Sequence, residues 1–225
     1  MRFFSTVAAV FIKDLKVEIR TREILFSTAL FALLTVLLAA FAFDLNKVPG
    51  EETAGGVLWI SICFGGMLSL GRVFNRERDF GVWTAVLMTP SSRAALYLGK
   101  VLGVVLFLLV VELVLVPVIE LFFHAPLLAN IVDLLPVLLL GTIGYACAGT
   151  LFGAMTIRTS LRDLLLGVIL FPLIAPVLIA SVKATSVVVA GKGLSEASDY
   201  LGLVGMFDIV FLVGGLWLFD VLMED

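Results

Sequence analysis

Six runs of near-continuous apolar residues, at about 24–43, 54–71, 101–123, 134–155, 164–182 and 203–222, leave this chain few folds to choose from. Each approaches the length of about 20 residues that carries an α-helix across a hydrocarbon core about 30 Å thick. Lipid cannot satisfy a backbone amide, so a spanning segment must be a helix or a strand of a closed barrel. Barrel strands alternate apolar and polar residues, and these runs do not. The expected fold is all-α, a polytopic membrane protein with six transmembrane helices. Composition agrees, since 61% of the 225 residues are hydrophobic and 15% charged, against roughly 45–50% and about 25% in soluble domains. No long linker and no repeat of about 20–50 residues divides the chain, which predicts one transmembrane domain over 1–225.

The cations set the orientation, because Lys and Arg are retained on the cytoplasmic side. Arg2, Lys13, Lys16, Arg20 and Arg22 precede the first run. Arg72, Arg76, Arg78, Arg93 and Lys100 separate the second from the third, and Arg158 and Arg162 separate the fourth from the fifth. Only Lys47, Lys183 and Lys192 fall in the other connections. Twelve against three predicts cytoplasmic termini and supports an even number of spans without reference to hydropathy. A net charge of -3 offers no basic field for nucleic acid. Lys13, Asp14, Lys16, Glu18, Arg20 and Arg22 occupy the place of a signal peptide's apolar core, so the first span is expected to remain. Within 1–23, Lys13, Lys16 and Arg20 share one stripe and Phe4, Val7, Phe11 and Leu15 largely another. This predicts an interfacial elbow helix, with Asp14 and Glu18 interrupting its apolar side. The longest connections are 72–100 and 183–202, and the Gly, Ser and Lys content of the latter predicts a loose outer loop.

Few residues carry chemistry. Gly191-Lys192-Gly193 lacks the glycine spacing and the Ser/Thr of a phosphate-binding loop, so any ATP must be bound by a partner subunit. Cys63 and Cys147 lie in apolar runs and read as small buried hydrophobes. His124, the single histidine, ends the third run without a serine elbow or cysteine beside it. It is a candidate haem ligand or an ordinary headgroup-layer residue. Glu112 lies mid-span and Asp208 about a turn and a half inside the sixth run, while Glu120 and Asp220 lie near span ends. A carboxyl in hydrocarbon faces a partner, a cavity or water, so Glu112 and Asp208 are candidates for a polar pathway or for interhelical hydrogen bonds. Gly141, Gly149 and Gly153 recur at multiples of four and predict a close packing face. Pro172 and Pro176, also four apart, should distort one side of the fifth span, where a bent helix could line a pathway.

The run Arg72-Val-Phe-Asn-Arg-Glu-Arg-Asp79 precedes a short apolar segment, Phe80-Gly-Val-Trp-Thr-Ala-Val-Leu-Met-Thr-Pro90, which proline stops. Too short to span and carrying Trp83, that segment would expose area worth about 25 cal/mol per Å² unless it rests on lipid or a partner. It reads as a docking element.

Several stretches together resemble the haem exporter protein B (CcmB) family. They are Phe11-Ile-Lys-Asp-Leu15 with the basic residues after it, Gly56-Val-Leu-Trp59, Leu68-Ser-Leu-Gly-Arg72 with Phe74, Met88-Thr-Pro90, Leu98-Gly-Lys-Val101, Leu138-Leu-Leu-Gly141 and Leu170-Phe-Pro-Leu-Ile-Ala-Pro-Val177. The resemblance covers nearly the whole chain and lies in order and spacing rather than in any catalytic signature. The chain departs from the family pattern at Gly71, where a glutamate is expected, and at Val82-Trp83-Thr84, where acids are.

The resemblance implies an ABC-2-like permease of the bacterial inner membrane, part of cytochrome c maturation. Such a permease pairs with a second copy and with two copies of a cytoplasmic ABC ATPase. It also implies a haem-handling membrane protein and a periplasmic haem chaperone as partners, with the ATPase cycle exporting haem or releasing the loaded chaperone. The coupling element would be 76–90, with Arg76, Arg78, Asp79, Phe80, Gly81, Val82 and Trp83 as its candidate residues. Three other readings stay open: an ABC-2-type permease for another substrate, an ion-coupled transporter using Glu112 and Asp208, and a scaffold that assembles a complex without transport.

Overall fold

The computed structural model describes residues 3–43, 49–79, 92–155 and 162–222. Those residues form seven helices: α1 Phe3–Thr21, α2 Glu23–Ala42, α3 Gly50–Asp79, α4 Arg93–Phe123, α5 Ile131–Met155, α6 Arg162–Val189 and α7 Leu194–Leu222. Six of them, α2 to α7, contain stretches long and apolar enough to cross a membrane. The chain is a polytopic membrane protein.

α5 is the centre of the bundle and touches α3, α4, α6 and α7. From Gly141 to Leu151 it is buried on nearly every side. Its glycines explain why. A Cβ at Gly141 would overlap the Trp59 ring, one at Gly149 would overlap Leu70, and one at Gly153 would overlap Phe74. The packing face expected at these glycines is thus the seat of large α3 side chains, with Leu70 and Phe74 following the same spacing of four. Helices without a hydrophobic force between them associate by such close contact. α2 lies at the rim, burying the stripe Ile24, Thr28, Ala32 and Val36 and exposing Phe26, Leu30, Leu34 and Leu38.

One expectation fails. The stretch 183–202 is not a loose loop: α6 runs on to Val189, and α7 begins at Leu194, five residues after it. Hydroxyl side chains in this stretch bond to their own helix. Thr185 Oγ1 donates to the Ser181 carbonyl at 2.8 Å and Ser186 Oγ to the Val182 carbonyl at 3.0 Å. Only the intervening turn needs left-handed backbone, supplied by Gly191 and Gly193 at φ of 73° and 77°. Asp208 consequently sits near the middle of α7 rather than close to its start.

On α1, Asp14 and Glu18 lie on the Val7 side, and they are buried there together with Thr6 and Val7. Lys100 Nζ, two turns into α4, lies 2.7 Å from Asp14 Oδ2, and Lys13 Nζ lies 3.0 Å from Oδ1. Glu18 Oε1 accepts the Leu25 N–H at 2.7 Å, satisfying a donor that the start of α2 would otherwise leave bare. Arg22, at φ 54°, breaks the helix between them. Gly99 lets the two backbones close, since a Cβ there would stand 2.8 Å from Val10 Cβ. Two of the stretches that carry the family resemblance, around Asp14 and Lys100, are therefore one contact.

α3 continues unbroken through the charged run to Asp79. Arg76, Arg78 and Asp79 belong to its last turns, whereas Phe80, Gly81, Val82 and Trp83 lie outside the described residues.

Candidate functional site

Halfway along α5, two carboxyls approach from opposite sides. Glu112 of α4 is buried, and Thr142 Oγ1 donates to its Oε1 while Oε2 has no hydrogen-bond partner among the described residues. Asp208 of α7 is buried against Gly144, and neither of its oxygens has a partner among them. A Cβ at Gly144 would overlap Asp208 Oδ1, so the glycine is what admits the carboxyl. Thr142 and Gly144 are two residues apart, about 3 Å along the axis and about 200° around it. The acids therefore flank α5 at one depth. A charged side chain at mid-bilayer costs roughly 2.5–3.5 kcal/mol even on the mildest scale, and no Lys or Arg pairs with either carboxyl among the described residues. This layer is where a proton, water or a donor group of a passing molecule would be accommodated at least cost.

Other polar side chains serve to hold the helices around that layer. Trp59 Nε1 donates to Thr185 Oγ1 at 2.9 Å, tying α3 to α6. Tyr145 Oη donates to the Cys63 carbonyl at 2.9 Å, tying α5 to α3. The Tyr97 hydroxyl lies 3.0 Å from the Cys147 carbonyl and 3.1 Å from that of Phe211, so it joins α4, α5 and α7. Both cysteines are buried with free thiols, as small hydrophobes should be.

A groove of about 500 Å³ runs between α4 and α5 from the Leu128 turn to Glu112. Its walls include Leu109, Leu113, Val116, Leu135 and Leu139. Pro117, which the apolar run concealed, lies in that wall and removes one backbone donor from α4, leaving the Leu113 carbonyl without its usual partner. The groove can take an apolar group.

Pro172 and Pro176 do not face this layer; both lie on the exposed side of α6. His124 caps α4 in the left-handed region at φ 53°, donates its backbone N–H to the Glu120 carbonyl at 2.9 Å, and is exposed. No group of three or more His, Cys, Asp and Glu that could hold a metal ion occurs among the described residues.

A family model described as CcmB protein matches residues 5–217. The chain belongs to the CcmB family. It is 25% identical over 187 residues to Heme exporter protein B of Bradyrhizobium diazoefficiens (strain JCM 10833 / BCRC 13528 / IAM 13628 / NBRC 14792 / USDA 110), an alignment covering 83% of this chain and 84% of that protein.

Within this CcmB-family bundle, sequence reasoning found Glu112 and Asp208 but placed Asp208 too near a span end. It missed Thr142, Gly144 and Lys100. Thr142 was detectable only as one of few hydroxyls in an apolar run, and Gly144 as an extra small residue between Gly141 and Gly149. Lys100 was absorbed into the charge count, and its partner lies 86 residues away.

Proposed function

We propose that this chain is the membrane permease subunit of an ABC transporter complex for cytochrome c maturation. It works as a pair with a second copy, and two copies of a cytoplasmic ABC ATPase supply the ATP hydrolysis that this subunit does not. The observation that carries the reading is the family match over 5–217 on a chain with six candidate spans. The termini and the 76–90 coupling segment lie on the cytoplasmic side of the bacterial inner membrane, the side favoured by the twelve cations. α3 runs from the second span into Asp79 without a break, which supports a rigid lever from Arg76, Arg78 and Asp79 into the bundle. Phe80, Gly81, Val82 and Trp83 engage the ATPase.

The name of the relative, Heme exporter protein B, favours haem as the molecule handled. ATP-driven closure either exports haem or releases a haem-loaded periplasmic chaperone from a haem-handling membrane protein. The outward position of Pro172 and Pro176 supports a pathway shared with the second copy.

Copurification with the ATPase and permease-stimulated ATP hydrolysis test the reading. Trp83→Asp places a charge in an apolar contact at a cost of several kcal/mol, so it should abolish stimulation while the permease still reaches the membrane. Unchanged copurification and unchanged stimulation overturn the proposed coupling role. The two carboxyls flanking α5 favour one competing reading, an ion-coupled transporter that needs no ATPase. Recovery of an ATPase with the chain disposes of it.

A further inference from the structure

Burial of Asp14 and Glu18 leaves α1 with a face on which every charge is positive. Stepping round the helix at about 100° per residue gives three sectors. The first holds Val7, Val10, Asp14 and Glu18 and meets α4 and α2. Beside it lies an apolar flank of Phe4, Ile12 and Ile19, which are 78%, 45% and 62% exposed. The third sector carries Lys13, Lys16 and Arg20, with Lys16 and Arg20 exposed and neither paired with an acid among the described residues. Arg22 follows, also exposed.

We propose that this outward face of α1 binds the anionic phospholipid headgroups of the adjoining leaflet. A solvated helix would not leave Phe4, Ile12 and Ile19 uncovered, and a site for a free anion would not need them. The combination of an apolar flank and a cationic flank on one helix fits the boundary between acyl chains and phosphates. Electrostatic attraction to anionic lipid then adds to the burial of the flank. Because Asp14 is buried and paired with Lys100 as well as Lys13, and Glu18 is buried too, neither acid opposes the exposed Lys16 and Arg20 from the outward face. The proposal rests on α1 alone and is independent of ATP coupling.

The test is titration of the purified full chain, in neutral detergent, with phosphatidylglycerol or phosphatidylcholine, followed by native mass spectrometry. The wild-type chain should retain phosphatidylglycerol preferentially. Lys16→Gln with Arg20→Gln should weaken that binding about fivefold for each cation removed and leave phosphatidylcholine unchanged. Lys16→Arg with Arg20→Lys should restore it. On the wild type, raising salt should weaken phosphatidylglycerol binding only. Equal retention of the two lipids, undiminished phosphatidylglycerol binding by the double glutamine variant, or displacement of the lipid by millimolar inorganic phosphate would overturn the proposal.

Discussion

Asp14→Leu should be among the most damaging single changes in the N-terminal region. Asp14 and Lys100 are only 7% and 4% exposed and stand 2.7 Å apart. At the surface such a pair contributes about 0–1 kcal/mol. Buried, removal of one partner strands the other charge, at about 3–5 kcal/mol. Lys100→Met leaves Asp14 with Lys13 at 3.0 Å, and Asp14→Leu removes the carboxylate that stands 2.7 Å from the buried Lys100 ammonium, so each single change should cost stability. Replacing both with apolar residues of similar volume removes the stranded charge and should recover most of the loss. Denaturant unfolding of the four proteins in detergent, read as a double-mutant cycle, measures the coupling directly. A cost below about 1 kcal/mol for Asp14→Leu, or a double variant no more stable than the sum of the singles, would show that the pair is solvated and refute the argument.

Gly149→Val should destabilise the bundle by about 1–3 kcal/mol through overpacking against Leu70, and Leu70→Ala in the same chain should relieve part of it; thermal unfolding of the three proteins checks this. Thr142→Val removes the donor to Glu112 at nearly constant volume and should cost about 1–3 kcal/mol by the same measurement, whereas Thr142→Ser should keep the bond and most of the stability.

The six spans were legible because hydrocarbon length is a one-dimensional constraint, readable along the chain. Gly141, Gly149 and Gly153 were legible for a similar reason, their spacing being local. Asp14 was not, since its burial makes sense only beside Lys100, and the two residues meet through tertiary packing. The 183–202 stretch misled because Gly, Ser and Lys suit turns in water, yet here Ser186, like Thr185, returns its hydroxyl to the backbone of α6, and only Gly191 and Gly193 take up left-handed backbone. Of the central layer, the acids stood out as costly in lipid, but the geometry around α5 depended on Gly144, which carries no chemistry of its own.

The tight bend at Gly191 and Gly193 has a consequence for the acid that lies fifteen positions beyond it. With so little slack between α6 and α7, the azimuth of α7 is inherited from the corner that precedes it. Loss of one residue there would rotate the following helix by about 100°, swinging Asp208 out of its notch and towards the acyl chains. The hairpin thus works as an alignment key, and the layer of carboxyls around α5 depends on a corner at the far edge of the membrane.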